Sequence, residues 1–107
     1  MDEKRLRQIE SEIEKIKRDL LAIGEMRPGS LSKQYRVPQK QIGPFWQLSY
    51  THKMKSHTEY VRHAFINELK KQIASYKTFR KLVTKWRELA IEHSKLKIHL
   101  AKRNHPK

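Results

Sequence analysis

Three histidines, His52, His57 and His63, fall within twelve residues of one another, and three imidazoles are a familiar metal-ligand set. No cysteine occurs anywhere in the chain, and no acidic co-ligand stands at a recognised spacing from them. They read instead as ring residues flanking a turn, in contact with solvent or phosphate, and no metal is expected. Catalysis has as little to work with. The serines and threonines lie in no nucleophile motif, no Gly-x-x-x-x-Gly-Lys-[Ser/Thr] loop is present, and Glu59 is the one carboxylate near the aromatic centre of the chain. Glu88 and Glu92 are an i, i+4 pair, but Lys85, Arg87 and Lys95 interleave them, as on a solvated helix face. His93 sits on an apolar stripe and reads as a packed core or interface histidine. No enzyme activity and no cofactor are expected.

What remains is positive charge and its placement. The net charge is +14, and it is unevenly spread. Residues 1–25 carry six basic and seven acidic side chains; residues 26–58 carry six basic and no acidic ones; residues 59–107 carry thirteen against four. A surface built this way attracts polyanions, and nucleic acid, DNA or RNA, is the expected partner. The candidate phosphate contacts are Arg27, Lys33, Arg36, Lys40, His52, Lys53, Lys55, His57 and Arg62, with Lys70, Lys77 and Lys81 on a following helix. Among these cations lie Phe45, Trp46, Tyr50 and Tyr60, which admit two readings. They stack bases, or they are buried; with so few large apolar residues available, burial of Trp46, Leu48 and Tyr50 is the expectation.

The elements that must position these residues follow from periodicity. Leu6, Ile9, Ile13, Ile16, Leu20 and Ile23 are spaced 3, 4, 3, 4, 3, a heptad seam on a helix covering residues 1–24. Gly24 and Arg27-Pro28-Gly29 end it, opening a basic loop over 25–44. From Phe45 the pattern alternates: Trp46, Leu48 and Tyr50 on one face, Phe45, Gln47, Ser49 and Thr51 on the other. With the run Ser56 to Arg62 this predicts a β-hairpin over 45–62, whose link lacks Asn-Gly or Asp-Gly and so leaves the turn type open. A long helix over 64–102 follows, with Phe79 and Trp86 on its stripe. The fold class is α+β, mostly α, in one small domain over 1–107.

Only 36% of the residues are hydrophobic, too few for a rich private core. The heptad helix pairs either within the chain or between chains. The long helix, on the order of 55 Å, outruns the first, and a hairpin, a second copy or another protein must cover the surplus stripe. A homodimer, or a subunit of a larger nucleoprotein complex, is therefore expected. The alternative is a coiled-coil adaptor whose basic surface meets an acidic protein partner. No apolar run approaches the ~20 residues of a membrane span, and Asp2-Glu3-Lys4-Arg5 leads into alternating charges rather than a signal core. A cytoplasmic protein without a membrane partner is expected.

The middle of the chain resembles an uncharacterised family of small prokaryotic proteins. The resemblance rests on Arg27-Pro28-Gly29-Ser30-Leu31-Ser32-Lys33-Gln34-Tyr35, on Gly43-Pro44-Phe45-Trp46-Gln47-Leu48-Ser49-Tyr50, and on Lys55-Ser56-His57-Thr58-Glu59-Tyr60-Val61. It covers roughly a third of the chain and implies flanking helices but no established activity. Two departures stand out. Family members carry a metal-type cysteine cluster between the first two motifs, where this chain has Arg36-Val37-Pro38-Gln39-Lys40-Gln41-Ile42. Met54 stands where the resemblance implies the glycine of a tight turn.

Overall fold

A computed structural model describes residues 2–37, 39 and 42–104. Helix α1 (Asp2–Leu21) is followed by strands β1 (Ser30–Val37), β2 (Ile42–His52) and β3 (Lys55–Val61), a 3-10 turn (His63–Phe65) and helix α2 (Ile66–Asn104). This is the α+β, mostly α fold expected, with the hairpin enlarged to a three-stranded antiparallel meander in the order β1-β2-β3. The added strand lies in the segment read as a loop. Its apolar alternation is broken by Lys33, so pairing along β2, from Ser30 opposite Ser49 to Val37 opposite Ile42, is what makes it a strand. The chain divides into two compact units, residues 24–77 and residues 1–23 with 78–107, and α2 contributes its first three turns to the former and the remainder to the latter.

In the sheet unit Leu48 is fully buried, at the centre of a cluster with Val61, Ile66 and Ile73. Leu31, Trp46, Tyr50 and Leu69 pack around it, half-buried. Ile66, Leu69 and Ile73 are spaced 3 and 4, so one stripe of α2 lies on the sheet's inner face. A hairpin alone is marginal in water, and this helical cover is what makes the strands stable. Of the three covers expected for the surplus stripe of α2, the sheet supplies the one over Ile66, Leu69 and Ile73.

Two backbone positions hold the sheet's geometry. Gly29 has φ +142°, and a Cβ there would stand 2.7 Å from Leu48 Cδ1 and 3.1 Å from the Ser49 carbonyl oxygen. The chain thus passes directly over the buried leucine as it enters β1, which only glycine permits. At the hairpin end, His52 pairs with Lys55 and the two residues between them, Lys53 and Met54, have φ +52° and +65°. This is the two-residue turn with both central residues left-handed, formed here without a glycine. The absence of glycine at residue 54 therefore strains the tight turn without preventing it.

In the helical unit α1 packs within its own chain, antiparallel to the C-terminal part of α2. Ile9, Ile16 and Leu89 are buried, with Ile13, Leu20, Leu82, Trp86 and Leu96 half-buried around them. Leu6, Ile23 and Phe79 are also half-buried. Arg5 grips Glu92 in a two-pronged pair (Nε to Oε2 2.7 Å, Nη2 to Oε1 2.8 Å), and His93 Nε2 lies 3.0 Å from Glu10 Oε2. Lys17 stands over the Trp86 ring at 5.6 Å. The helix ends at Leu21, two residues short of Ile23, because Ala22 N–H bonds to the carbonyls of both Arg18 and Asp19 and Ile23 N–H to that of Leu20, tightening the last turn. No described helix is long and apolar enough to cross a membrane.

Met54→Gly is expected to stabilise the protein by about 0.5–1 kcal/mol, the left-handed cost of a side chain less glycine's own entropy, read from the midpoint of urea unfolding. Gly29→Ala is expected to destabilise it by about 3 kcal/mol in the same assay, because strain at that φ adds to the collision with Leu48.

Candidate nucleic-acid interface

Pairing register divides the sheet's side chains between two faces. Leu31, Trp46, Leu48, Tyr50 and Val61 point to the helix-covered side. Ser30, Ser32 and Gln34 of β1, Phe45, Gln47, Ser49 and Thr51 of β2, and Ser56, Thr58 and Tyr60 of β3 point to the other. This outer face carries no carboxylate. Most of it is hydroxyl and amide, and most of those residues are exposed. Its one aromatic feature is a pair: Phe45 and Tyr60 lie stacked, ring centroids 5.7 Å apart and planes inclined by 14°, with Tyr60 64% exposed.

The sheet's single carboxylate is on the inner face and is spoken for. Glu59 Oε1 accepts hydrogen bonds from Arg27 Nη2 (2.7 Å) and from the Tyr50 hydroxyl (2.9 Å), while the Arg27 guanidinium stands 5.1 Å from the Tyr50 ring centroid. His57 stacks on the same ring at 5.0 Å. Arg27 N–H also donates to the Gln72 carbonyl at 3.0 Å. The guanidinium, and then the phenol, hold the Glu59 carboxyl below its ordinary range; the bond to Glu59, aided by burial, raises the Tyr50 phenol. Arg27 therefore neutralises Glu59 and braces the sheet, and its charge is not free for phosphate.

The other sequence-level candidates fall into separate places. His52, Lys53, Lys55 and His57 are exposed at the hairpin end beside Met54, which is 97% exposed. At the opposite end of the strands, Lys33, Arg62 and His63 join Phe45, Trp46 and Tyr60 around a concavity of about 470 Å³ with no carboxylate in its lining. Lys33 stands 5.7 Å from the Tyr35 ring, and Lys70 caps the Trp46 ring at 5.4 Å. Lys70 and Lys77 also line a groove with Ser30 and Leu31. Lys81 belongs to the helical unit, in a shallow depression along α2 with Arg80, Lys85 and Glu88. Arg36 lies in β1, its side chain outside the described residues, as is Lys40 altogether. His52, His57 and His63 form no metal-ligand group among the described residues.

Trp46 and Tyr50 are packed on the core, as the alternation of β2 predicts, so neither offers a free platform for bases. The outward pair Phe45 and Tyr60 emerges only from register. Phe45 was on the outer face by alternation alone; Tyr60 joins it because Gln47 is opposite Tyr60 across the two-residue turn. Comparison with protein-family models, curated proteins and solved structures finds no match for this chain.

Glu59 and Glu92 both have lowered carboxyl pKa values, chiefly through hydrogen bonds from Arg27 and Arg5. Their stabilising contribution is complete above the ordinary carboxylate pKa and is lost as pH falls through the lowered folded-state values. Thermal unfolding followed from pH 6 to pH 2 is expected to show the melting temperature falling on the acid side. Glu59→Gln and Glu92→Gln should each flatten that fall; an unchanged slope in both would show that neither pair is linked to folding.

Proposed function

We propose that this protein binds nucleic acid through its sheet unit, without catalysis and with little or no dependence on base sequence. The observation that carries the reading is the sheet's charge arrangement. Its one carboxylate, Glu59, is neutralised by Arg27, while Lys53, Lys55, Lys33 and Arg62 make no ion pair among the described residues. The outer face of the same strands carries hydroxyl and amide groups that donate hydrogen bonds to phosphate oxygens. Cations at both ends of the strands, Lys53 in the turn and Lys33 and Lys55 in the register phase of the helix-covered side, with the strands' one acid already paired, suit a backbone running along the strands. Residues 24–77 hold ten basic side chains against three acidic ones, so long-range attraction reinforces the local contacts.

A second reading, an assembly subunit with a protein partner, draws on the helical unit. There Val83, Ile91 and Ile98 are exposed along α2 at spacings of 8 and 7 residues. The two readings differ in their dependence on salt. Neutralising phosphates releases condensed counterions, so affinity falls linearly on a log–log scale with salt, whereas an apolar contact is nearly indifferent to it.

Fluorescence anisotropy against labelled oligonucleotides, titrated from 50 to 300 mM salt, is expected to show a steeply falling affinity. The double variant Lys53→Ala/Lys55→Ala should lower the magnitude of the log–log slope by roughly 2. No binding to any nucleic acid at 50 mM salt would overturn the reading and turn attention to a protein partner.

A further inference from the structure

We infer that the nucleic acid taken by this protein is single-stranded, and that an unpaired base seats against the Phe45–Tyr60 stack at the end of the sheet away from the hairpin turn. The inference rests on the nucleic-acid reading above and narrows it to one class of strand. Three observations meet at this place. Phe45 and Tyr60 already lie in the near-parallel arrangement of a stack, 5.7 Å apart, and Tyr60 is 64% exposed. A flat, open ring at the end of a stack offers its π face to one more flat ring, and every nucleobase has one. A tyrosine exposed to this degree on a bare strand also leaves an apolar surface in water, which a stacked base would cover.

The second observation is the chemistry around the pair. The adjoining concavity, about 470 Å³, is walled by Trp46 as well as by the stacked rings, and its charged or chargeable lining residues are Lys33, Arg62 and His63. Aromatic rings beside cations, in a concavity without a carboxylate, are complementary to a base joined to its phosphate; the depression on the other side of Tyr60 and Arg62 holds Glu68 and the Arg27-paired Glu59. An acidic peptide matches the cations but leaves the rings uncovered, and a lipid headgroup has no flat ring to stack.

The third is the shape of the face. A base inside a duplex has both its faces covered by neighbouring base pairs, so it stacks on a protein ring only after unpairing. A broad strand surface with side-by-side rings suits bases that are already splayed out. From Phe45 to Lys53 the strand spans about 26 Å, which places the tip cations within reach of the same strand and sets an occluded site of ~4 nucleotides. Ser49, Thr51 and Thr58 line the way between, and their hydroxyls take phosphate or sugar contacts without selecting a base.

The test compares a fluorescein-labelled twelve-nucleotide thymidine strand, a uridine strand of the same length and a hairpin duplex at 100 mM salt. Proteins are the wild type, Tyr60→Leu, Tyr60→Phe and Lys53→Ala/Lys55→Ala, each checked for folding by circular dichroism. Single strands are expected to bind at least tenfold more tightly than duplex. Tyr60→Leu, which keeps an apolar neighbour for Phe45 but removes the ring, should lose about tenfold on single strands, keep its salt slope and leave duplex binding unchanged. Tyr60→Phe should bind as wild type, and tryptophan emission should change on binding in both when Trp86 is replaced by Phe so that Trp46 alone reports. Equal affinity for duplex and single strand, or full affinity in Tyr60→Leu, would overturn the inference while leaving phosphate-backbone binding standing. Failure of all three nucleic acids to bind, also when the salt is lowered to 50 mM, would overturn both.

Discussion

Leu48 is shut off from solvent entirely, and most of the sheet unit is arranged to keep it so. Beneath it lie Ile66 and Ile73 of α2, beside it Val61 of β3, and over it the backbone of Gly29 at a φ that only glycine holds comfortably. In a chain with so few large apolar side chains, one fully buried leucine ties three strands to a helix. Fixing Leu48 inward fixes Trp46 and Tyr50 inward as well, because side chains on a strand repeat every two residues. It also sends Phe45, Gln47, Ser49 and Thr51 outward. The proposed interface is thus the geometric consequence of a packing decision made on the opposite side of the sheet.

Charge is organised by a parallel logic. The acidic side chains of α1 meet the basic stretch of α2: Glu10 lies against His93, Asp2 near His99, and Arg5 holds Glu92 in return. Exposed pairs of this kind contribute little energy individually, but they consume charge locally. In the sheet unit a single such pair, Arg27 with Glu59, neutralises the one acid that the strands carry. What is left over on the strands is cationic and sits towards their two ends. An excess of positive charge becomes directional only through these pairings.

The two-residue turn links both themes. Lys53 and Met54 adopt left-handed backbone conformations at an energetic cost, and the structure around them must supply the compensation. Pairing of β2 with β3 does so, from Trp46 opposite Val61 to His52 opposite Lys55. The turn in exchange sets the register that brings Tyr60 beside Phe45. A loop with one residue more or fewer would have turned Tyr60 to the inner face and dismantled the outward stack.

Much of this was legible in the residues themselves. The heptad spacing of Leu6 to Ile23 announced α1, the unbroken stripe announced α2, and the alternation from Phe45 to Thr51 announced β2 with its inward and outward faces. These signals are local, because helix and strand periodicity act between residues a few positions apart. β1 was not legible, since Lys33 interrupts its pattern and what makes it a strand is its pairing along β2, from Val37 opposite Ile42 to Ser30 opposite Ser49. Nor was the fate of Arg27, which as a residue type is as good a phosphate ligand as Lys53. The sequence by itself determined the element types, the faces of β2 and the charge excess. Only the tertiary structure decided which cations are paired, that α1 folds back on its own chain, and that Phe45 and Tyr60 stand together, because each depends on residues brought close by pairing and packing across tens of positions.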